Sequence, residues 1–274
     1  MYRTAFAITF LVLGSITLLA RSAEASLNPN TRDARVIMQA VFDRDTGDRA
    51  IGRSLMTIVD SNGTRKRVMQ TQALEFTGGI KTLILFESPA DVRNTGLLSF
   101  DYDDGSKQDD QWLYLPSLRK STRISTGGKS GAFVGSDLTY SDLTQVDPKQ
   151  YKLRLLKADV DVDGESCWLI ELRPATAKIK KETGYLKSHF WVSKEKLLVV
   201  QAKAWIEEGK KLKYTRMSDI KKVDDIWTVY SILARTVQGK KVESTTKVQI
   251  LDIKYNDDAV TADDFSERRL ERGI

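Results

Sequence analysis

The chain has 274 residues, of which 41% are hydrophobic and 29% are charged, so it supplies enough apolar side chains for a substantial folded core. Its formal net charge of +6 is a small excess over 37 acidic residues and does not indicate a protein dedicated to nucleic-acid binding. Its one cysteine and one histidine exclude an intrachain disulfide and any site that needs two histidines.

The first 25 residues predict a secretory signal peptide. Arg3 precedes an unbroken apolar run over residues 5–20, and Ala23-Glu24-Ala25 is an A-x-A cleavage pattern directly before Ser26. The run is shorter than the roughly 20 residues that a helix needs to cross a bilayer. An uncleaved membrane anchor is the alternative. We expect cleavage after residue 25 and a single domain over residues 26–274.

Residues 30–45 predict an amphipathic helix. Apolar side chains recur there at the spacing of one helix face: Ala34, Ile37, Met38, Val41 and Phe42. Asn30 or Thr31 is available to cap the first turn. Because the apolar stripe must be buried, this helix is expected to lie against another element.

Most of the remaining sequence predicts β-strands joined by tight turns. Asn62-Gly63 and Asp163-Gly164 are hairpin signals, and Pro89 and Pro116 separate other segments. Several segments alternate apolar and polar residues with period two, as antiparallel strands do when one face lies on a core. Roughly ten or more strands are too many for one flat sheet. We therefore expect a sheet that curls toward a barrel or half-barrel, with the N-terminal helix on its concave side.

Two fragments imitate catalytic motifs and fail on spacing. Residues 127–130 read GGKS, but a phosphate loop would need glycine where Arg123 stands. Ser117 and Lys120 have the S-x-x-K spacing of penicillin-recognising enzymes, although the KSG that follows at Lys129 is far too close in the chain. A hydrolase that uses the region from Ser117 to Ser130 is therefore only an alternative, and we expect no catalytic residues and no cofactor.

Two acidic segments raise the alternative of a bound hard cation. Residues 159–164 read DVDVDG, but Ile170 occupies the position where a calcium loop has its bidentate glutamate. A second acidic group surrounds Gly105: Asp101, Asp103, Asp104, Asp109 and Asp110. Both patterns are typical of solvated turns. We expect no metal site.

The segment SFDYDDGSKQDDQWLYLPSLRKSTRISTGGKSGAFVGSDLTYSDL, residues 99–143, resembles the periplasmic outer-membrane lipoprotein-sorting-like proteins, relatives of the lipoprotein carrier LolA. The likeness extends through LILFESPADVRNTGLLSFDYDD, IELRPATAK, TGYLKSHFWVSKEKLLVV, MSDIKKVDDIWT and FSERRLERGI. It implies an incomplete, strongly curved antiparallel β-barrel with few helices, which cover the open side and enclose an apolar cavity.

The resemblance also implies a function. It implies a periplasmic carrier of lipid, lipoprotein acyl chains or another apolar ligand, working with a membrane exporter of the resistance-nodulation-division (RND) type, without catalysis. Expected partners are thus lipid or lipoprotein cargo, such an exporter and transient contacts with a membrane surface, and not nucleic acid. The alternative is an accessory subunit that docks on an exporter and carries nothing.

Four aromatic residues are candidates to line the cavity. In QWLYLP, Trp112 and Tyr114 point to one face of the strand and the leucines to the other, and Phe100 and Tyr102 share a face in LLSFDY. Sequence leaves open which face lines a cavity and whether these rings are ordinary core.

Four basic residues are candidates to contact anionic headgroups or an acidic partner: Arg119, Lys120, Arg123 and Lys129. A charged strand edge protected against sheet-to-sheet pairing is the alternative. The strands QWLYLP and LRKSTRIS are expected to be neighbours joined at Pro116, and the glycine-rich segment after them to be a mobile loop at the mouth of the barrel.

Overall fold

The computed structural model describes residues 27–274. The predicted signal peptide lies outside the described residues. Three α-helices and thirteen strands follow one another in this order: α1 (Ala34–Phe42), β1 (Arg49–Asp60), β2 (Gly63–Phe76), β3 (Gly79–Ser88), β4 (Gly96–Tyr102), β5 (Asp110–Leu115), β6 (Lys120–Arg123), β7 (Tyr151–Val162), β8 (Glu165–Pro174), α2 (Ala177–Thr183), β9 (Tyr185–Ser193), β10 (Val199–Ile206), β11 (Leu212–Val223), β12 (Ile226–Gln238), β13 (Lys241–Tyr255) and α3 (Glu267–Arg272).

The thirteen strands form one antiparallel sheet in the order β6-β5-β4-β3-β2-β1-β13-β12-β11-β10-β9-β8-β7. The sheet is not closed, because β6 and β7 are its two edges and do not pair with each other. The predicted incomplete, curved antiparallel barrel with few helices is thus confirmed. Strands that are consecutive in sequence pair with each other, except β6 and β7, and the pairing of β13 with β1 joins the two halves of the sheet.

Both predicted hairpins are confirmed. Ser61 and Asn62 connect β1 to β2, one residue before the predicted turn because Gly63 already pairs with Asp60, and Asp163 and Gly164 connect β7 to β8. Asp163 and Gly164 both have positive φ, +57° and +85°, as a two-residue hairpin turn of this hand requires. The acidic segment 159–164 therefore ends a strand and makes a turn.

Helix α1 packs on the concave face of the sheet, as the sequence predicts. Ile37 and Met38 are buried against Trp168 and Ile170 of β8. The predicted cap is wrong by two to three residues, because the carboxylate of Asp33 accepts the hydrogen bond from the amide of Arg35, at 2.8 Å. Within residues 27–274, no helix is long and apolar enough to cross a membrane.

The C-terminal segment covers part of the convex face. Phe265 and Leu270 pack with Leu83, Leu85 and Leu98 of β3 and β4. Gly96 permits this contact, since a Cβ there would lie 2.5 Å from a methyl carbon of Leu270. The close packing of α3 on β4 therefore depends on the absence of a side chain at Gly96.

Replacing Leu270 by alanine tests this cover. The side chain is fully buried, so its loss removes apolar contacts and leaves a cavity, and we expect the free energy of unfolding to fall by about 2–5 kcal/mol. Urea denaturation measures the change. Arg268→Ala is the matched control, because Arg268 is exposed on the same helix; an equal loss in both variants would contradict burial as the cause.

Candidate functional site

Residues 124–147, here called the strap, cross the concave face between β6 and β7. Short 3-10 turns at Thr126–Gly128, Phe133–Gly135 and Tyr140–Leu143 give the strap its compact path. It contains the glycine-rich segment that the sequence predicts to be a mobile loop at the barrel mouth. The structure corrects that prediction, because Lys129 and Phe133 of this segment are buried and tie it to the sheet.

Phe133 anchors the strap by apolar contact. The ring is 0% exposed and lies 5.7 Å from the ring of Phe86 and 5.8 Å from that of Tyr140, measured between centroids. Met56 and Ile58 of β1 complete the cluster around it. This end of the concave face is therefore filled by the strap and not by a helix.

Asp137 anchors the strap by hydrogen bonds. Its carboxylate accepts from the hydroxyl groups of Thr236 on β12 and of Ser244 and Thr246 on β13, the last at 2.7 Å. The amide of Asp137 donates back to the hydroxyl of Thr246, at 2.8 Å. Three hydroxyl donors satisfy the buried carboxylate, which holds the strap to the strands at the middle of the sheet.

An ion pair between a buried lysine and a more exposed carboxylate holds the strap farther along. Lys213 of β11 lies 2.6 Å from a carboxylate oxygen of Asp142, and the hydroxyl of Tyr185 donates to the other oxygen at 2.7 Å. Lys213 also donates to the Tyr185 oxygen. Burial by itself would raise the pKa of Asp142, but the charge of Lys213 outweighs it and holds that pKa below its usual value.

Lys129 holds the start of the strap. Its side chain is only 1% exposed; the ammonium pairs with Glu182 of α2 and donates to the carbonyl of Asp109 at 2.9 Å. The lysine of the GGKS sequence is therefore a buried structural residue that joins the strap to α2 and to the residues before β5. Ser130 donates its hydroxyl to the carbonyl of Gly127, at 3.1 Å.

Buried acidic groups lie next to Lys129. One oxygen of Asp101 has no hydrogen-bond partner within residues 27–274. Burial, and then the negative charge of Asp109, raise the pKa of Asp101 well above its usual value, although Lys129 opposes them. Over the same residues, no three histidine, cysteine or acidic side chains are grouped closely enough to hold a metal ion.

An apolar cavity of about 260 Å³ lies between the strap and the concave face. Its walls come from β1, β2, β3, β12, β13 and the strap, mainly through these side chains: Ala50, Met56, Met69, Ala73, Ile84, Phe133, Leu138, Leu143, Ile232, Val248, Ile250 and Ile253. Gly52 is part of the wall where β1 and β13 approach closely, since a Cβ there would lie 2.6 Å from the carbonyl oxygen of Asp252. The site is a nonpolar compartment inside the curved sheet.

A second cavity of about 540 Å³, with a mixed polar and apolar lining, shares the strap as a wall. Ser136, Asp137 and Thr139 line it, and it is bounded beyond them by Tyr185 and Lys213. The strap therefore separates a larger compartment of mixed character from a smaller one whose lining is almost entirely apolar. The smaller compartment gives an apolar ligand the higher proportion of nonpolar contact.

The structure places the four predicted aromatic residues together on the convex face. Phe100 and Trp112 are in edge-to-face contact, 5.4 Å between centroids, and both pack with Tyr114 under the C-terminal segment. Tyr102 donates its hydroxyl to Asp110, at 3.1 Å. None of the four lines the apolar cavity described above. Their role in ligand binding stays a prediction.

The four predicted basic residues do not form one surface cluster, because two are exposed, one is in an ion pair and one is buried. Arg119 and Lys120 are exposed at the turn between β5 and β6, which are neighbours as predicted. Arg123 is paired with Asp110, and Lys129 is buried as described above. A headgroup or partner contact by these residues stays a prediction.

Sequence reasoning missed the residues that hold the strap. Asp137, Asp142 and Lys213 carry no local signal, because their partners are about 70 to 110 residues away in the chain. The sequence Ser-Asp-Leu occurs twice, at 136–138 and 141–143, and this repeat could have drawn attention to the strap. It places two carboxylates and two apolar side chains on one short segment.

Three solved structures are similar to this chain over most of its length. A domain from Vibrio parahaemolyticus that carries the name outer membrane lipoprotein-sorting protein matches with 28% identity and a TM-score of 0.78, covering 89% of this chain and 100% of that one. A DUF1329 family protein from Desulfovibrio piger matches with 28% identity and a TM-score of 0.76, covering 87% and 96%. A LolA superfamily protein from Nitrosomonas europaea shares the fold at 18% identity and a TM-score of 0.64, covering 86% and 98%.

A family model whose description reads "uncharacterized protein" matches residues 78–272, which include β3 to α3 and the whole strap. No curated protein matches the sequence.

Replacing Asp137 by alanine tests the strap anchor. The change removes the acceptor of three buried hydroxyl groups, and bonds to a charged acceptor are worth about 1.5–3 kcal/mol. We expect the free energy of unfolding to fall by about 2–3 kcal/mol and amide hydrogen exchange to rise within the strap. Asp263→Ala, at an exposed acid near the C-terminus, is the control. Unchanged exchange in the strap would show that Asp137 does not anchor it.

Replacing Asp101 by asparagine tests the buried carboxyl. In the unfolded chain this carboxyl ionises near its usual pKa of about 4, whereas the folded protein keeps the proton to a higher pH. Unfolding then releases a proton, so stability falls as the pH rises from about 4 toward neutrality. The neutral asparagine has no proton to release.

We therefore expect the stability of Asp101→Asn to fall less than that of the wild type over this range, as measured by urea denaturation at several pH values. Asp103→Asn, at an exposed position just after the end of β4, should keep the pH dependence of the wild type. Parallel curves for wild type and Asp101→Asn would contradict the assignment.

Proposed function

This chain belongs to the family whose model matches residues 78–272 and has the fold of a LolA superfamily protein, and on that premise we propose that it is a carrier that shelters an acyl chain in its apolar cavity. The observation that supports this most directly is the apolar lining of the cavity under the strap.

The size of the cavity fits a single apolar chain. Its volume of about 260 Å³ lies just below the range of about 300–1,000 Å³ that is typical of pockets for drug-sized ligands. Each buried CH₂ group contributes about 0.8 kcal/mol, so a chain of about ten methylenes gains several kcal/mol after the cost of ordering, which is enough for capture and still permits release. A whole lipid or a triacylated protein needs more room than this.

The strap supplies the means of enlarging the cavity. Phe133, Leu138 and Leu143 form the wall of the cavity that is not part of the sheet, and Asp137 and Asp142 hold that wall by polar contacts. Outward movement of the strap would break these side-chain contacts and would leave the pairing of the strands intact. In this proposal the strap moves outward when larger cargo enters.

The finer parts of the proposal concern cargo, compartment and partner. The name of the Vibrio relative refers to outer-membrane lipoprotein sorting, which supports lipid or lipoprotein cargo for this chain. Residence in the periplasm after cleavage of a signal peptide, work with an RND-type exporter and the absence of catalysis rest on the sequence and its resemblance. They are parts of the same proposal.

Blocking the cavity tests the carrier. Ala50 and Val59 lie on the same strand, but Ala50 lines the cavity and Val59 is 45% exposed on the opposite face. We expect Ala50→Phe to weaken binding of a fluorescent fatty acid at least about tenfold, since the ring displaces about two methylenes' worth of apolar contact. Val59→Phe should bind like the wild type.

Fluorescence titration measures the affinities, and mass spectrometry of lipids extracted from the purified protein shows what it carries. Equal affinities in both variants would place the ligand elsewhere. A protein that binds no fatty acid and yields no lipid would exclude the carrier.

A further inference from the structure

The convex face of β7 to β12 is not covered by the C-terminal segment, whose helix contacts β4, β5 and β6. Side chains at alternate positions of these strands therefore meet solvent. The pairing register places one row of them directly across six strands: Arg154, Glu171, His189, Lys203, Tyr214 and Arg235. The next rows on either side include Lys152, Arg173, Lys187 and Trp205, and Lys157, Trp191 and Arg216. These three rows are here called the basic face.

The basic face carries more positive charge than the small net charge of the whole chain suggests. Eight lysine or arginine side chains lie in its rows, and Glu171 is the one acidic side chain among the residues named in them. Asp163, in the turn beside the face, pairs with Arg216. The chain as a whole has a net charge of only +6 over 274 residues. A large share of that excess is therefore gathered on one side of the sheet.

Glu171 fixes the positions of several cations of the basic face without neutralising the total positive charge of that face. The carboxylate is only 4% exposed and lies under Arg154 at 3.3 Å, Arg173 at 3.0 Å, Lys187 at 3.4 Å and His189 at 3.3 Å. Hydrogen bonds from Arg173 lower the pKa of Glu171 to about 2 against the opposing effect of burial. One anion thus positions several cations whose outer sides remain in water.

Aromatic rings lie between these cations. Trp205 is flanked by the ammonium groups of Lys187 at 4.3 Å and Lys203 at 4.6 Å from its ring centre. The ring of His189 lies 4.6 Å from that of Trp205, and Tyr214 is 38% exposed with Lys203 5.2 Å from its ring. Tryptophan and tyrosine between lysines and arginines are typical of surfaces that lie at a membrane interface.

We propose that the basic face docks on an anionic phospholipid bilayer. Lysine and arginine side chains supply attraction to phosphate headgroups, and Trp205 and Tyr214 supply amphipathic rings for the interface. The face is on the opposite side of the sheet from the apolar cavity, so docking leaves the strap free. The inference does not depend on what the cavity carries.

Vesicle sedimentation tests the inference with the purified protein. We expect binding to vesicles of phosphatidylcholine mixed with phosphatidylglycerol, none to phosphatidylcholine alone, and a loss of binding as salt is added. Lys203→Gln combined with Arg235→Gln removes two charges that do not contact Glu171. The partition coefficient should fall by about 25-fold, at about fivefold for each charge near the surface.

Arg119→Gln combined with Lys120→Gln tests the competing surface, two exposed charges at the other end of the sheet that the sequence also offers for headgroup contact. If the basic face is the docking surface, this variant binds vesicles like the wild type. Loss of binding in this variant with retention in the first one would overturn the inference and favour the turn between β5 and β6.

Trp205→Leu distinguishes a membrane from other polyanions. It keeps every charge and should still weaken vesicle binding, with no effect on binding to heparin. Absence of binding to anionic vesicles by the wild type would overturn the inference. So would vesicle binding that is unaffected by Trp205→Leu and competed fully by heparin. Urea denaturation of each variant checks that it is folded. The salt dependence of vesicle binding by the wild type tests the electrostatic contribution without any substitution.

Discussion

Three hydroxyl groups on the two central strands, β12 and β13, donate to the carboxylate of Asp137, and the arrangement of the interior depends on this contact. A single open sheet of thirteen strands leaves an apolar concave face that other parts of the chain have to cover. Helix α1 is only nine residues long and covers one half. The strap covers the other half, and it stays there because a buried carboxylate with three donors is costly to separate from them.

The strap also decides what kind of interior the protein has. Phe133, Leu138 and Leu143 close a nonpolar cavity against β1 and β13, while Asp137 and Lys213 face a cavity of mixed polar and apolar lining. The strap therefore both covers the concave face of the sheet and shapes the ligand site. The same segment lies within the range that the family model matches.

The two faces of the sheet have different roles because alternate residues point to opposite sides. The concave face is apolar and holds α1 and the strap. The convex face is covered by the C-terminal segment over β3 to β5 and is basic and aromatic over β7 to β12. Phe100, Trp112 and Tyr114 belong to the covered part, which explains why their alternation is regular although they do not line the cavity.

Much of the fold could be read from local sequence. The period of two in the strands, the hairpins at Asn62-Gly63 and Asp163-Gly164 and the stripe of α1 are set by interactions between neighbouring residues, and each is found where it is expected, apart from a shift of one residue in the first hairpin turn. The failure of the GGKS segment as a phosphate loop also follows from spacing alone.

What only the tertiary structure decides is which face becomes concave and which distant groups meet. Lys129 is a buried strut because α2 brings Glu182 to it, and Lys203 lies in a row of cations because five strand pairings align it with Arg154 and Arg235. Local sequence determines the side of its own strand on which a residue lies. Pairing between strands far apart in the chain determines what lies beside it.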